Sequence, residues 1–284
     1  MIMPPFCWQT LKLLTYTAHL PPESFTYYRL PFDPFSNMAP EKNTVYVVTG
    51  ANRGIGLGLV KALLSRPSTT VVATVRSDDA AASLKADIAS VTKGDQSTLD
   101  VAKLDLSTAP APEQVRNAIT VDHVDVLINN AGFSPPMNPA AETTADELRA
   151  AFETNTIGTL MVFQGLWPLL QKSAAPKVIN VTSSVGCITY QEAPGGSYGP
   201  SKAALNWLTR ALHTQNEGLV AVALHPGWVK TRMGELCANE WGFPNAPFET
   251  IEGCVEGMLQ VIDGATRENL SGKFVTYKGQ ELPW

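Results

Sequence analysis

Thr44-Val45-Tyr46-Val47-Val48-Thr49-Gly50-Ala51-Asn52-Arg53-Gly54-Ile55-Gly56 is the stretch that decides the fold. Val45–Val48 is a short apolar run of strand composition that stops at Thr49-Gly50. Beyond the turn, Ile55, Leu59, Ala62 and Leu63 recur at the spacing of one buried helix face, which predicts a helix from about Gly54 to Ser65. Gly50 permits the tight turn. Gly54 and Gly56 let a pyrophosphate reach the backbone and the helix N-terminus, where free amides and the helix dipole favour an anion. Glycines also serve plain turns, but here the strand–turn–helix context of a dinucleotide site is met. Asn52, Arg53 and Ile55 belong to the same cradle.

The alternation continues outward from that unit. Strands are predicted at Val71–Val75, Val101–Leu104, Val124–Ile128, Lys177–Val181, Val220–Leu224 and, late in the chain, Lys273–Thr276. Helices are predicted around Ala80–Ser90, Glu113–Ile119, Asp146–Leu170 and Tyr198–His213. Short apolar strands alternating with longer helices mean a mostly parallel sheet covered on both faces. One doubly wound α/β Rossmann domain of about seven strands is therefore expected over 44–284.

An NAD site places Asp or Glu on the adenosine ribose at the end of the second strand. This chain has Thr74-Val75-Arg76-Ser77 there, with no acid before Asp78. A guanidinium at Arg76, with Arg53 in the glycine loop, suits a 2′-phosphate and points to NADP(H).

Tyr198-Gly199-Pro200-Ser201-Lys202 puts a phenol and an ammonium at i and i+4 on one helix face. A tyrosine with its ordinary pKa near 10 is a poor acid–base catalyst at neutral pH, and a nearby cation favours the phenolate. Upstream, the strand Val178-Ile179-Asn180-Val181 runs into Thr182-Ser183-Ser184, placing hydroxyls where parallel strands open into a binding crevice. Either serine could equally be a turn residue.

Taken with the Gly-x3-Gly-x-Gly spacing, Tyr-x3-Lys with a preceding serine resembles the short-chain dehydrogenase/reductase family. Asn129-Asn130-Ala131-Gly132 and Asn155 occur in the family's order, and the likeness covers residues 44 to about 232. The resemblance implies that Tyr198 gives a proton to a carbonyl oxygen while Lys202 lowers its pKa and holds the nicotinamide ribose. It also implies that Ser184, chosen over Ser183 because Val185-Gly186 follows, polarises the carbonyl, and that Asn155 holds a water in the proton relay. Asn129, Ala131 and Gly132 would close the cofactor floor, and Asp105 would lie next to the adenine. In His225-Pro226-Gly227-Trp228-Val229-Lys230-Thr231, the Pro226-Gly227 turn would lead to Val229 and Thr231 holding the carboxamide. The glycine loop followed by Gly58 and the tail from Ser271 to Trp284 are similar to the Sniffer and C-factor carbonyl reductases, a branch that includes the norsolorinic acid ketoreductase-like enzymes of fungal secondary metabolism.

The resemblance further implies a segment closing over the substrate at about 232–248, where Met233, Leu236, Trp241, Phe243 and Phe248 cluster. With Phe133 and Tyr190, these predict a hydrophobic, aromatic or polyketide-like ketone as substrate. A homodimer or homotetramer built on the 146–170 and 198–213 helices is also implied. The leading reading is a carbonyl reductase. The alternatives are an alcohol dehydrogenase running oxidatively and a catalytically silent NADP(H)-binding regulator, which should have lost some of its Ser, Tyr, Lys and Asn.

Composition bounds these readings. The 284 residues are 44% hydrophobic and 17% charged, ordinary for a globular chain and unlike a disordered one. A formal charge of −5 argues against a nucleic-acid partner. No stretch has the length of a membrane span, and the four cysteines form no CxxC pair, so a zinc site or disulfide scaffold is not expected. Residues 1–40 hold 7 of the 21 prolines and no glycine, and they lack the apolar core of a signal peptide. Residues 1–43 are therefore read as a poorly ordered extension, and the protein as cytoplasmic.

Overall fold

Valine, isoleucine and leucine fill the strands because both faces of the sheet are covered. The computed structural model describes residues 42–189 and 194–284. Seven strands form one parallel sheet in the order β3-β2-β1-β4-β5-β6-β7. They are β1 (Thr44–Val48), β2 (Thr69–Val75), β3 (Thr98–Lys103), β4 (Val126–Asn129), β5 (Lys177–Val181), β6 (Val220–His225) and β7 (Phe274–Thr276). The expectation of a mostly parallel sheet becomes one in which every strand pair is parallel.

Side-chain alternation divides the core. Tyr46 and Val48 face one cluster with Leu59, Leu63, Cys254 and Met258. Val45 and Val47 face the other with Val115, Val162, Leu166 and Leu170. The first face is covered by α1 (Gly54–Leu64), α2 (Asp78–Ile88) and α8 (Ile251–Gly264). The second is covered by α3 (Pro112–Ala118), α5 (Thr159–Leu170) and part of α6 (Tyr198–Gln215).

One local reading is corrected and two segments gain helices. The single helix expected over 146–170 is α4 (Ala145–Phe152), a π turn at Glu153–Gly158, and α5. Apolar periodicity runs through the π turn, so the extra residue leaves little mark on the sequence pattern. The expected covering segment contains a helix, α7 (Arg232–Trp241), capped by Thr231 Oγ1, which accepts from Gly234 N at 3.2 Å. Helix α8 was not anticipated, because Gly253, Gly257 and Gly264 weaken its helical signal. Packing of Cys254, Val255, Met258 and Leu259 into the core outweighs that weak propensity.

Sheet order reverses between β1 and β4, and the crevice beyond the strand ends at that point is where ligands bind in open α/β sheets. The 1–43 extension, except Lys42 and Asn43, and Tyr190 lie outside the described residues. Among the described residues, no helix is long and apolar enough to cross a membrane.

Candidate active site

The glycine loop leaves β1 at the switch point. Gly50 has φ +65°, and a Cβ there would lie 2.8 Å from Ala131 Cα. A Cβ on Gly56 would lie 2.3 Å from the Gly50 carbonyl oxygen, so the helix meets its own loop where no side chain fits. Arg53 occupies the N-cap position of α1 without capping it through its side chain, and the first turn holds no acid. The first amides of α1 thus have no capping side chain, which fits a pyrophosphate.

The loop is braced from β4. Asn130 Nδ2 donates to the carbonyls of Thr49 at 2.9 Å and Gly50 at 3.2 Å, while Thr49 Oγ1 accepts from Ala131 N at 3.0 Å. Asn129, the expected floor residue, points elsewhere: its Nδ2 donates to Asn180 Oδ1 at 2.8 Å inside the sheet. Asn130 is the side chain that ties the floor to the loop. Asn-Asn is ambiguous in sequence because adjacent strand residues face opposite sides of the sheet.

At the β2 end, Arg76 and Arg53 are both exposed, and neither forms a salt bridge among the described residues. The nearest acid in sequence, Asp78, is paired with Lys103 at 3.0 Å. Asp105 accepts from Ser107 N at 3.0 Å and Ser107 Oγ at 2.8 Å, so it caps the short turn after β3. Gly227 turns the 226–231 segment with φ +81°. Thr231 then packs on the cradle, its Cγ2 lying 3.3 Å from where a Gly54 Cβ would be. Val229 bridges to Glu249 across the covering segment.

Tyr198 opens α6 and is 9% exposed; Lys202, one turn on, is 2% exposed. Asn155 sits on the π turn with no exposure. Its Nδ2 donates to Phe133 O at 2.8 Å and Ser201 Oγ at 2.9 Å, and its Oδ1 accepts from Phe133 N at 2.8 Å. Ser201 Oγ donates in turn to Tyr198 O at 2.7 Å. Asn155 Oδ1 and Lys202 Nζ each lie 3.7 Å from where a Gly132 Cβ would be, so both converge on the Ala131-Gly132 turn. π turns recur at functional sites, and here one sets Asn155 against Phe133 and Ser201, behind the Ala131-Gly132 turn.

The structure favours the other serine. The Ser183 side chain, not that of Ser184, lies close enough to the Tyr198 phenol to lower its pKa. Ser183 caps the short turn at Ser184–Gly186, its Oγ accepting from Val185 N at 3.3 Å. Ser184 instead contributes its backbone amide to His225 Nδ1 at 3.2 Å. One-residue register in a strand-to-turn transition decides which hydroxyl faces the crevice, and composition does not reveal it.

Electrostatics also differ from expectation. Burial drives the Tyr198 phenol above its ordinary range, the Cys237 thiol adds to the rise, and the neighbouring Ser183 side chain opposes it. Burial lowers Lys202 to about 8. Desolvation is thus the largest influence on both groups. At neutral pH the phenol therefore carries the proton a general acid needs, while burial alone makes it the weaker acid.

Over the phenol lies an apolar wall. Met137 and Cys237 are buried against Tyr198, with Trp228, Met233 and Trp241 beside them. Trp228 makes edge contacts with Trp241 and Phe243 at 5.5 Å and with Phe248 at 5.9 Å. Glu240 Oε2 accepts from Met137 N at 2.9 Å, fastening α7 to the loop after β4.

A phosphate cradle at the switch point and a buried Tyr–Lys–Ser–Asn cluster at the neighbouring strand ends define an oxidoreductase that works with a dinucleotide. The short chain dehydrogenase family model matches residues 44–240, and the chain belongs to that family. Similar curated relatives include the short-chain dehydrogenase RED3 of Pyricularia oryzae, 40% identical over 86% of this chain and 99% of its own length. The norsolorinic acid ketoreductase nor1 of Dothistroma septosporum is 36% identical over 86% of this chain and 93% of its own. Among solved structures, carbonyl reductase Sniffer of D. melanogaster matches with TM-score 0.73 and 30% identity over 86% of this chain and all of its own. The NADPH-bound carbonyl reductase from chicken fatty liver matches with TM-score 0.71 and 30% identity over 88% and 97% of the two chains.

Proposed function

We propose that this protein is an NADPH-dependent reductase that converts a carbonyl of a hydrophobic, aromatic or polyketide-like ketone to an alcohol. The reading is carried by Tyr198: a buried phenol, held protonated by its surroundings, beside Ser183 and under an aromatic wall. The chicken carbonyl reductase is NADPH-bound and nor1 is named a ketoreductase, which supports the same reading.

Gly50, Asn52, Arg53, Gly54, Ile55 and Gly56 would hold the pyrophosphate, and Arg53 with Arg76 the 2′-phosphate. Asp105, Asn130, Ala131, Gly132, Pro226, Gly227, Val229 and Thr231 would line the rest of the cofactor's path. When bound, the cofactor supplies the hydride that reaches the carbonyl carbon. Ser183 donates a hydrogen bond to the carbonyl oxygen and Tyr198 gives that oxygen its proton. Lys202 stabilises the phenolate left behind, and Asn155 braces the loop that carries Phe133. The aromatic wall excludes water and orients an apolar substrate.

Tyr198→Phe removes only the proton donor. Ketone reduction followed through NADPH absorbance should vanish, while the NADPH dissociation constant stays within twofold of the parent. Retained turnover would refute the assigned donor. Binding without turnover in the parent protein, across a broad ketone panel, would instead favour the silent regulator.

A further inference from the structure

β5 and β6 run parallel, with Val181 beside Leu224, and the ladder's last rung is Thr182 N donating to Leu224 O at 2.8 Å. In a parallel ladder, the amide two residues on bonds the carbonyl two residues on. The next rung would therefore be Ser184 N to Pro226 O. That rung is absent. The Pro226 carbonyl accepts from Cys254 Sγ at 3.1 Å, and Ser184 N donates to His225 Nδ1 at 3.2 Å. An imidazole thus stands in for a backbone carbonyl where the strands part.

The substitution matters because of what flanks Ser184. The preceding residue is Ser183, whose side chain lies beside the Tyr198 phenol and accepts from Val185 N at 3.3 Å. The following residues form the short turn that Ser183 caps. Gly186 N to Ser183 O at 3.0 Å and Cys187 N to Ser184 O at 2.9 Å close the turn on itself, and the Ser184 amide is the donor through which β6 sets how the turn is rotated on the sheet. We propose that His225 is a positioning residue: by accepting the Ser184 amide, its Nδ1 holds the Ser183 hydroxyl in register with the Tyr198 phenol. The inference rests on the reductase reading above.

A ring whose Nδ1 accepts carries its proton on Nε2 when neutral. Burial holds His225 well below its ordinary range, at about 4, so the ring is neutral under physiological conditions. An asparagine can place its Oδ1 where Nδ1 stands; a leucine fills the space and offers no acceptor.

The test compares His225→Leu, His225→Asn and Ser183→Ala, alone and combined, with NADPH and the best ketone found for the parent. His225→Leu should lower kcat about tenfold, with KM and the NADPH dissociation constant within twofold. His225→Asn should recover kcat to within threefold of the parent. In the Ser183→Ala background, His225→Leu should cost nothing further, because the residue it acts through is gone. Should His225→Leu fail to fold, the asparagine variant decides alone: a folded His225→Asn with a tenfold loss overturns the proposal. Additive losses in the double variant overturn it as well, as does a fall in NADPH affinity that accounts for the whole effect. Nitrogen-15 spectra of the ring give a readout apart from activity: Nδ1 must appear unprotonated, and an Nδ1–H tautomer is incompatible with the bond. A parent protein that reduces no ketone would sink the reductase reading instead, while these spectra would still report on the hydrogen bond.

Discussion

Lys202 Nζ stands 5.6 Å from the centroid of the Tyr198 ring and donates to the Val181 carbonyl at 2.9 Å. The ammonium is anchored to β5 and kept under the phenol rather than bonded to it. Its own burial is costly, since a lysine lowered from 10.5 to about 8 is charged at neutral pH in a place that disfavours charge.

Replacing Lys202 by methionine should separate function from stability. Between pH 8 and 10.5 the unfolded chain binds more protons at this site than the folded one, so the parent gains stability as pH rises through that window. At neutral pH the unfavourable contribution is about 3 kcal/mol. Lys202→Met should lose most of its turnover, keep a thermal midpoint no lower than the parent's, and lose that alkaline gain. The parent's kcat should itself fall above about pH 8 as the ammonium deprotonates. Calorimetry across pH checks the first set, and a pH–rate profile the last.

Ser183→Ala and Ser184→Ala should behave differently. Loss of one hydrogen-bond donor to a developing oxyanion costs about 100-fold in kcat. That loss should fall on Ser183→Ala, whose hydroxyl faces Tyr198. Ser184→Ala keeps the backbone amide that its neighbour His225 accepts and should stay within about threefold of the parent. Steady-state kinetics of the two variants decide; the reverse order would restore Ser184.

Arg76→Ala should weaken NADPH binding about tenfold, or ~1.4 kcal/mol, and leave NADH unchanged. Tryptophan fluorescence titration measures both constants. Equal losses for the two cofactors would mean that Arg76 shapes the loop rather than binding the 2′-phosphate.

Gly56→Ala places a methyl 2.3 Å from the Gly50 carbonyl oxygen and 2.5 Å from Asn130 Nδ2. Backbone must move, and overpacking of this kind costs about 1–3 kcal/mol. NADPH binding should be lost and the urea midpoint lowered. An unperturbed midpoint with normal binding would show that α1 does not press on its own loop.

Parts of this molecule were plain in the chain because they are local. Val45–Val48 followed by a glycine loop and an i, i+4 apolar stripe reports β1 and α1 without reference to anything distant. Tyr198 and Lys202 share a helix face through spacing alone, and their family order identifies them. Helix α8 was hidden because its glycines dilute a signal that packing against α1 makes irrelevant. The π turn was hidden because one inserted residue shifts the face of Asn155 without disturbing hydrophobic periodicity.

The sequence by itself determined the doubly wound architecture, the phosphate cradle and the residue types of the active site, since each follows from periodicity, turn chemistry or short spacing. Which asparagine braces the glycine loop, which serine meets the phenol and how His225 replaces a ladder carbonyl were decided only by tertiary structure. Those choices depend on adjacent residues in strands and tight turns, where a step of one reverses the direction of the side chain. The raised pKa of Tyr198 belongs with them, because desolvation is set by every group that packs around the phenol rather than by the lysine four residues away.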